Sequence, residues 1–94
     1  MKAAALEGAA HGLTVNAVAP TWMRTPMVET QLAEQVRLRN ATEQEVLDGL
    51  LGRQPIKRFA ETGEVASAIA YLASEEASAI TGTCLPVDLG TLAS

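Results

Sequence analysis

Cysteine, aromatic residues and long hydrophobic runs are all scarce in this 94-residue sequence. The single cysteine, Cys84, has no partner for an internal disulfide and no His or Cys companion at a metal-ligand spacing, so we expect neither a disulfide framework nor a metal site. No apolar run approaches the roughly 20 residues of a membrane span, and the first residues lack the apolar core of a signal peptide. These absences favour a cytoplasmic protein that has no membrane partner.

Positive charge is also in short supply. Seven Lys and Arg residues stand against eleven Asp and Glu residues, which gives a net charge of −4 and a pI of about 4.8. Nucleic acids and anionic lipid surfaces bind basic patches, so this balance argues against both as partners. The chain is 48% hydrophobic, as globular proteins are, but only 3% aromatic. Its core must therefore be built from small aliphatic side chains.

Helix and strand signals alternate along the chain. An alanine-rich stretch opens it, and an apolar, β-branched run follows that ends at Pro20. Thr42 and Glu45 form a capping-box pattern, which marks the start of a helix. Val65 and Ile69 belong to an apolar series at helical spacing. We therefore predict a helix over residues 1–10, a strand over 13–19, a loop over 20–27, two helices within 28–51, a helix over 63–74 and a strand over 83–87.

The first predicted strand has the composition of a strand buried on both faces. Its run from Leu13 to Ala19 is almost continuously apolar, as in parallel sheets that helices cover on both sides. The only other strand candidate lies far along the chain, so the first strand has no ladder partner within reach. Because two strands do not form an independent sheet, we expect both to belong to a larger α/β sheet.

Four strings in a fixed order carry a resemblance to a known family. The sequence reads LTVNAVAP, then TWMRTPM, then PIKRFAETGEVASAIAYLASEEASAITGT, and then VDLG. In this order they resemble the C-terminal third of a short-chain dehydrogenase/reductase. The resemblance implies an α/β fold, the C-terminal portion of a doubly wound parallel-sheet (Rossmann-like) fold with two strands and about four helices, in which ligands bind at the carboxyl ends of the strands. It also implies an oxidoreductase that uses NAD, with NADP left open.

The resemblance further implies that the loop after the first strand faces the cofactor. The residues concerned are Pro20, Thr21, Met23 and Thr25, of which Thr25 would hydrogen-bond the nicotinamide carboxamide. Thr25 is also a good N-cap ahead of Pro26, so it can start a helix and contact the cofactor at once. The family has glycine where this chain has Thr21, which alters the approach of the backbone to the nicotinamide.

Within the family, TWMRTPMVETQLAEQ followed by a two-helix insertion is similar to the 3-hydroxybutyrate dehydrogenases. That similarity implies that the helices within 28–51 form a lid over a short hydroxy acid. It implies that Trp22 lines the substrate pocket and that Gln31 binds the substrate carboxylate. The alternatives are a surface-loop position for Trp22 and a solvated helix position for Gln31. For Arg24, a solvated position is favoured over a contact with an acidic substrate.

The family's catalytic groups are not found in these 94 residues. The sequence has no glycine-rich phosphate loop, and Tyr71 is followed four residues later by Glu75 rather than by lysine. We therefore assign no catalytic residue. The family's Asp-Gly-Gly turn also reads differently here, as Asp88-Leu89-Gly90, so that turn departs from the family pattern.

The sequence leaves the oligomeric state and the choice between NAD and NADP open. It predicts the C-terminal segment of an oxidoreductase that interconverts a short 3-hydroxy acid and its 3-keto acid, a segment inactive as an isolated chain. The expected partners are the small-molecule acid and either a second copy or a full-length relative. The alternatives are a non-catalytic oligomerisation module, which associates through its uncovered helix face and sheet edge, and a truncated gene product.

Overall fold

The computed structural model describes residues 1–93, within which four α-helices and two β-strands form. In chain order they are α1 Lys2–Ala9, β1 Ala17–Pro20, α2 Pro26–Arg39, α3 Glu43–Leu50, α4 Thr62–Leu72 and β2 Cys84–Val87. Two compact units divide the chain. The first unit combines Met1–Pro20 with Thr62–Val87, and the second combines Thr21–Glu61 with the residues from Asp88 onward.

In the first unit, β1 and β2 form a two-stranded parallel sheet, with Ala17 opposite Cys84 and Pro20 opposite Val87. The helix α4, which precedes β2 in the chain, contacts both strands and buries Val65. A helix packed on parallel strands is the α/β arrangement that the sequence pattern indicates. The predicted fold class, a partial Rossmann-like fold with two strands and four helices, is thereby confirmed.

The first strand is shorter than the prediction of 13–19, because the residues before Ala17 bond in another way. The Val15 N–H donates to the Thr81 hydroxyl over 3.0 Å. The Asn16 side chain donates to the Ile80 carbonyl over 3.0 Å and accepts from the Thr83 N–H over 3.1 Å. These bonds occupy the groups that a longer ladder would use. They also give the Asn16 amide the partners that a polar group in an apolar segment needs.

The second strand and the last helix also differ from their predicted bounds. β2 begins at Cys84 rather than at residue 83, and Cys84 is exposed, not a core residue as its apolar neighbours suggest. α4 begins at Thr62 rather than at residue 63 and ends at Leu72 instead of residue 74. Its end is fixed by Ser74, whose N–H and hydroxyl both donate to the Tyr71 carbonyl, over 3.0 and 2.5 Å. Such bonds tighten a helix into its final turn.

In the second unit, α2 and α3 pack against each other and bury Leu32 and Val46. The start of α3 is the predicted capping box: the Thr42 hydroxyl accepts from the Glu45 N–H, and the Glu45 carboxylate accepts from the Thr42 N–H, each over 3.1 Å. α2 ends at Arg39, and its C-cap residue, Asn40, adopts the left-handed conformation common at helix ends. No helix of the described residues is long and apolar enough to span a membrane.

Candidate functional site

The loop after Pro20 is fixed to the segment that precedes α4. The Ala60 N–H donates to the Trp22 carbonyl over 2.9 Å, and Met23 forms a parallel bridge with Ala60. Ala60 is buried at 2% exposure. The backbone from residue 21 to residue 23 is therefore held in one conformation rather than left as a free loop.

A buried glutamine, Gln54, holds the same loop through its side chain. Its exposed fraction is 2%. The amide oxygen accepts from the Thr21 hydroxyl, and the amide nitrogen donates to the carbonyls of Ile56 and Arg58 over 3.2 and 2.9 Å. Sequence reasoning missed Gln54, because a single glutamine before a proline carries no pattern. Its bond to the Thr21 hydroxyl gives the threonine at position 21 a partner within the protein.

Thr25 caps α2, which is one of the two roles that the sequence allows it. Its hydroxyl oxygen accepts from the Val28 N–H over 3.3 Å and so caps α2, with Pro26 in the first turn. A hydroxyl that accepts one bond still has its own proton to donate. That proton is what a carboxamide oxygen would need, so Thr25 fits the amide end of a nicotinamide. Among the other predicted cofactor contacts, Thr21 is committed to Gln54, Met23 is half-buried, and Pro20 ends β1 in the first unit.

Trp22 and Gln31 line one cavity of about 320 Å³ in the second unit. This volume lies at the lower end of the range for small-molecule sites. The remaining lining residues are Val28, Leu32, Glu34, Gln35, Arg39 and Leu50. Apolar side chains thus alternate with a few polar groups, as in ligand pockets generally. Cavities of about 640 and 460 Å³ also occur, but neither contains Trp22 or Gln31.

Arg24 binds acidic residues of the protein. Its guanidinium pairs with Glu29 in the first turn of α2 and, over 2.9 Å, with Glu43 in the first turn of α3. It also lies over the Phe59 ring, 5.4 Å from the centroid. The hydrogen bond from Arg24 holds the pKa of the Glu29 carboxyl below its ordinary value. Arg24 therefore links the loop to both helices.

No group of three or more His, Cys, Asp or Glu side chains within residues 1–93 could hold a metal ion.

A family model described as enoyl-(acyl carrier protein) reductase matches residues 1–91. The chain belongs to the short-chain dehydrogenase/reductase family. This is the family indicated by the sequence motifs, and its members are oxidoreductases that use NAD(P).

The names of similar proteins in this family indicate different substrates. The chain is 43% identical over 90 residues to D-beta-hydroxybutyrate dehydrogenase of Rhizobium meliloti, covering 95% of this chain and 35% of that protein. It is 40% identical over 89 residues to 3-oxoacyl-[acyl-carrier-protein] reductase FabG of Haemophilus influenzae, covering 95% of this chain and 32% of that protein. The chain thus spans about a third of the length of the curated relatives it matches.

Solved structures of the family have the same fold over nearly all of the chain. A short-chain dehydrogenase family protein from Francisella tularensis superposes with a TM-score of 0.90 at 25% identity, covering 99% of this chain and 38% of that one. Actinorhodin polyketide ketoreductase with NADPH superposes with a TM-score of 0.80 at 38% identity, covering 96% of this chain and 34% of that one.

Proposed function

We propose that the chain carries the nicotinamide loop and the substrate pocket of an NAD-dependent oxidoreductase that interconverts 3-hydroxybutyrate, or a similar short 3-hydroxy acid, and its 3-keto acid. The observation that carries the proposal is the shared cavity of Trp22 and Gln31, the two residues that the sequence resemblance assigns to the substrate. The 43% identity to D-beta-hydroxybutyrate dehydrogenase supports the same substrate class.

In this proposal the cavity residues bind and orient the acid. The Gln31 amide donates to the substrate carboxylate, and the Trp22 ring with Leu32 and Leu50 forms the apolar wall against the carbon chain. α2 and α3 act as the lid, and Arg24 holds the first turns of both helices at the loop.

The loop binds the nicotinamide in the same proposal. Thr25 donates its free hydroxyl proton to the carboxamide, while Pro20, Thr21 and Met23 lie along the cofactor-facing backbone. Bound NAD would accept the hydride from the hydroxy acid. The chain itself binds, orients and shields, because the family's catalytic Ser and Tyr-x-x-x-Lys are not among its 94 residues. NADP is the alternative cofactor, supported by the related ketoreductase with NADPH.

A second candidate substrate is a 3-oxoacyl thioester. The 40% identity to a 3-oxoacyl-[acyl-carrier-protein] reductase favours it. The two substrates share the 3-oxo group and differ at the carboxyl end, which is free in the acid and esterified in the thioester. The donor at Gln31 and the small cavity favour the free acid.

We also propose that the protein is a cytoplasmic homo-oligomer. Ile69 and Tyr71 of α4 are 52% and 45% exposed, and apolar side chains on a helix surface support self-association. Size-exclusion chromatography with light scattering should give a multiple of 9.9 kDa. A folded, strictly monomeric chain over the micromolar range would contradict this part of the proposal.

The substrate pocket can be tested on the chain itself, because Trp22 is its only tryptophan. Its indole N–H gives one resolvable NMR signal, which acetoacetate should shift in a saturable manner. Gln31→Leu should weaken that binding, whereas Gln44→Leu, which changes a glutamine on α3 that does not line the cavity, should leave it unchanged. If the Trp22 indole N–H signal does not shift at acetoacetate concentrations up to tens of millimolar, the proposed pocket is contradicted.

A further inference from the structure

One helix edge of the cavity carries three polar side chains in register. Gln31, Gln35 and Arg39 are spaced four residues apart on α2 and all line the cavity. Residues four apart are neighbours on a helix surface. Side chains also lean toward the helix N-terminus. An extended Arg39 side chain therefore reaches back over Gln35, toward the part of the cavity beside Gln31.

The charge of the cavity comes from two side chains, Glu34 and Arg39. Glu34 has a partner, since its carboxylate lies 3.7 Å from the Arg37 guanidinium one turn further on. Arg39 forms no ion pair with any residue that the structure describes. The uncompensated charge in the cavity is thus positive, in a chain whose net charge is −4.

We infer that Arg39 is a specificity-determining residue of this cavity, which binds a short carboxylic acid in preference to its neutral ester. The inference rests on the proposed function. It adds the cationic Arg39 side chain, besides the Gln31 amide, as a group that binds the substrate carboxylate. The rise of about 1.5 Å per residue places the Cα atoms of Gln31 and Arg39 about 12 Å apart along the axis. Both side chains lean toward the helix N-terminus, so only the greater length of the arginine side chain brings the two head groups closer than that. A carboxylate held between them would accept from the Gln31 amide and from the guanidinium, whose fork matches its two oxygens.

The test follows the Trp22 indole N–H signal during titration with acetoacetate and, separately, with methyl acetoacetate, which carries the same keto group without the charge. The unaltered chain should bind the acid more tightly than the ester. Arg39→Gln should weaken acid binding about tenfold, the size of one partly solvated charge-assisted hydrogen bond, and leave ester binding unchanged. Arg39→Lys should retain part of the preference, because lysine keeps the charge and loses the fork.

Lys2→Gln is the matched control, since it removes the same unit of charge from α1, which does not line the cavity. Equal losses in Lys2→Gln and Arg39→Gln would overturn the inference, because net charge rather than Arg39 would then set the affinity. An Arg39→Gln chain that keeps the acid preference would overturn it as well. If the unaltered chain binds neither ligand, the substrate pocket itself is wrong and the inference is overturned with it. Binding without acid preference refutes the role of Arg39 alone.

Discussion

Replacing Gln54 should destabilise the second unit in a way that depends on the replacement. Gln54→Leu preserves the approximate volume but removes all three side-chain hydrogen bonds, leaving the Thr21 hydroxyl and two carbonyls to find other partners. A buried polar group without a partner costs about 1–3 kcal/mol. Ile56 and Arg58 are exposed, so water can satisfy their carbonyls, and the loss of unfolding free energy should be about 2 kcal/mol.

Gln54→Glu tests the same site through pH. The carboxylate keeps an acceptor for Thr21 but faces the carbonyls of Ile56 and Arg58, which can accept only from a protonated carboxyl. Burial and these acceptors should raise the pKa of Glu at position 54 in the folded state. A raised pKa in the folded state makes stability fall as pH rises through the unfolded value, because the unfolded chain releases the proton first. Relative to the unaltered chain, Gln54→Glu should therefore lose stability as the pH rises from about 4 to about 7, while Gln54→Leu should show no such slope.

Urea unfolding followed by Trp22 fluorescence reports on the unit that contains Gln54. Thr21→Val removes one of the three bonds and should cost about 1 kcal/mol. The double variant Thr21→Val with Gln54→Leu should cost less than the sum, because both changes remove the same bond. If Gln54→Leu unfolds within 0.5 kcal/mol of the unaltered chain, on the order of a typical surface substitution, Gln54 does not hold the loop.

Three further predictions concern the turn after β2 and the first turns of α2 and α3. Leu89 has φ 53, a left-handed conformation that costs a residue with a side chain about 1–2 kcal/mol. Leu89→Gly should therefore raise the midpoint of urea unfolding slightly. A lower midpoint would show that the packing of the leucine side chain outweighs the backbone strain. Arg24→Gln should return the pKa of Glu29 toward its ordinary value in an NMR titration. Since that pKa is depressed in the folded state, the stability that Arg24 provides should vanish as pH falls through it, and an unchanged titration would refute the pair. Thr42→Ala should lower the free energy of unfolding, measured with urea, by about 1 kcal/mol. An unchanged free energy would show that the hydrogen bond between Thr42 and Glu45 does not stabilise the protein.

The helix caps could be predicted from sequence because local chemistry determines them, whereas the pairing of β1 with β2 could not, because Ala17 and its partner Cys84 lie more than sixty residues apart. Thr42 with Glu45 indicates a helix start. The apolar run ended by Pro20 indicates a strand buried on both faces, but β1 is half-buried at Ala17 and Val18 and exposed at Ala19 and Pro20 in this structure. The strand bounds could not be predicted, because they depend on where Asn16 bonds. Those partners, Ile80 and Thr83, lie more than sixty residues along the chain, beyond the reach of any local pattern.

The candidate site was predictable in part. Resemblance named Trp22 and Gln31, and the structure brings both to one cavity, but their contact with substrate stays a prediction, as do the cofactor roles of Pro20, Thr21, Met23 and Thr25. Gln54 could not be found from sequence, since only the folded chain shows that its amide is buried and fully bonded.

The most direct measurement is turnover by a chimera in which this chain replaces the matching segment of the Rhizobium meliloti D-beta-hydroxybutyrate dehydrogenase, its 43% identical relative. The proposed function predicts that the folded chimera oxidises 3-hydroxybutyrate with NAD. It also predicts that Gln31→Leu raises KM for the acid at least tenfold while the KM for NAD stays the same. A folded chimera that binds NADH but reduces only 3-oxoacyl thioesters would contradict the proposed substrate.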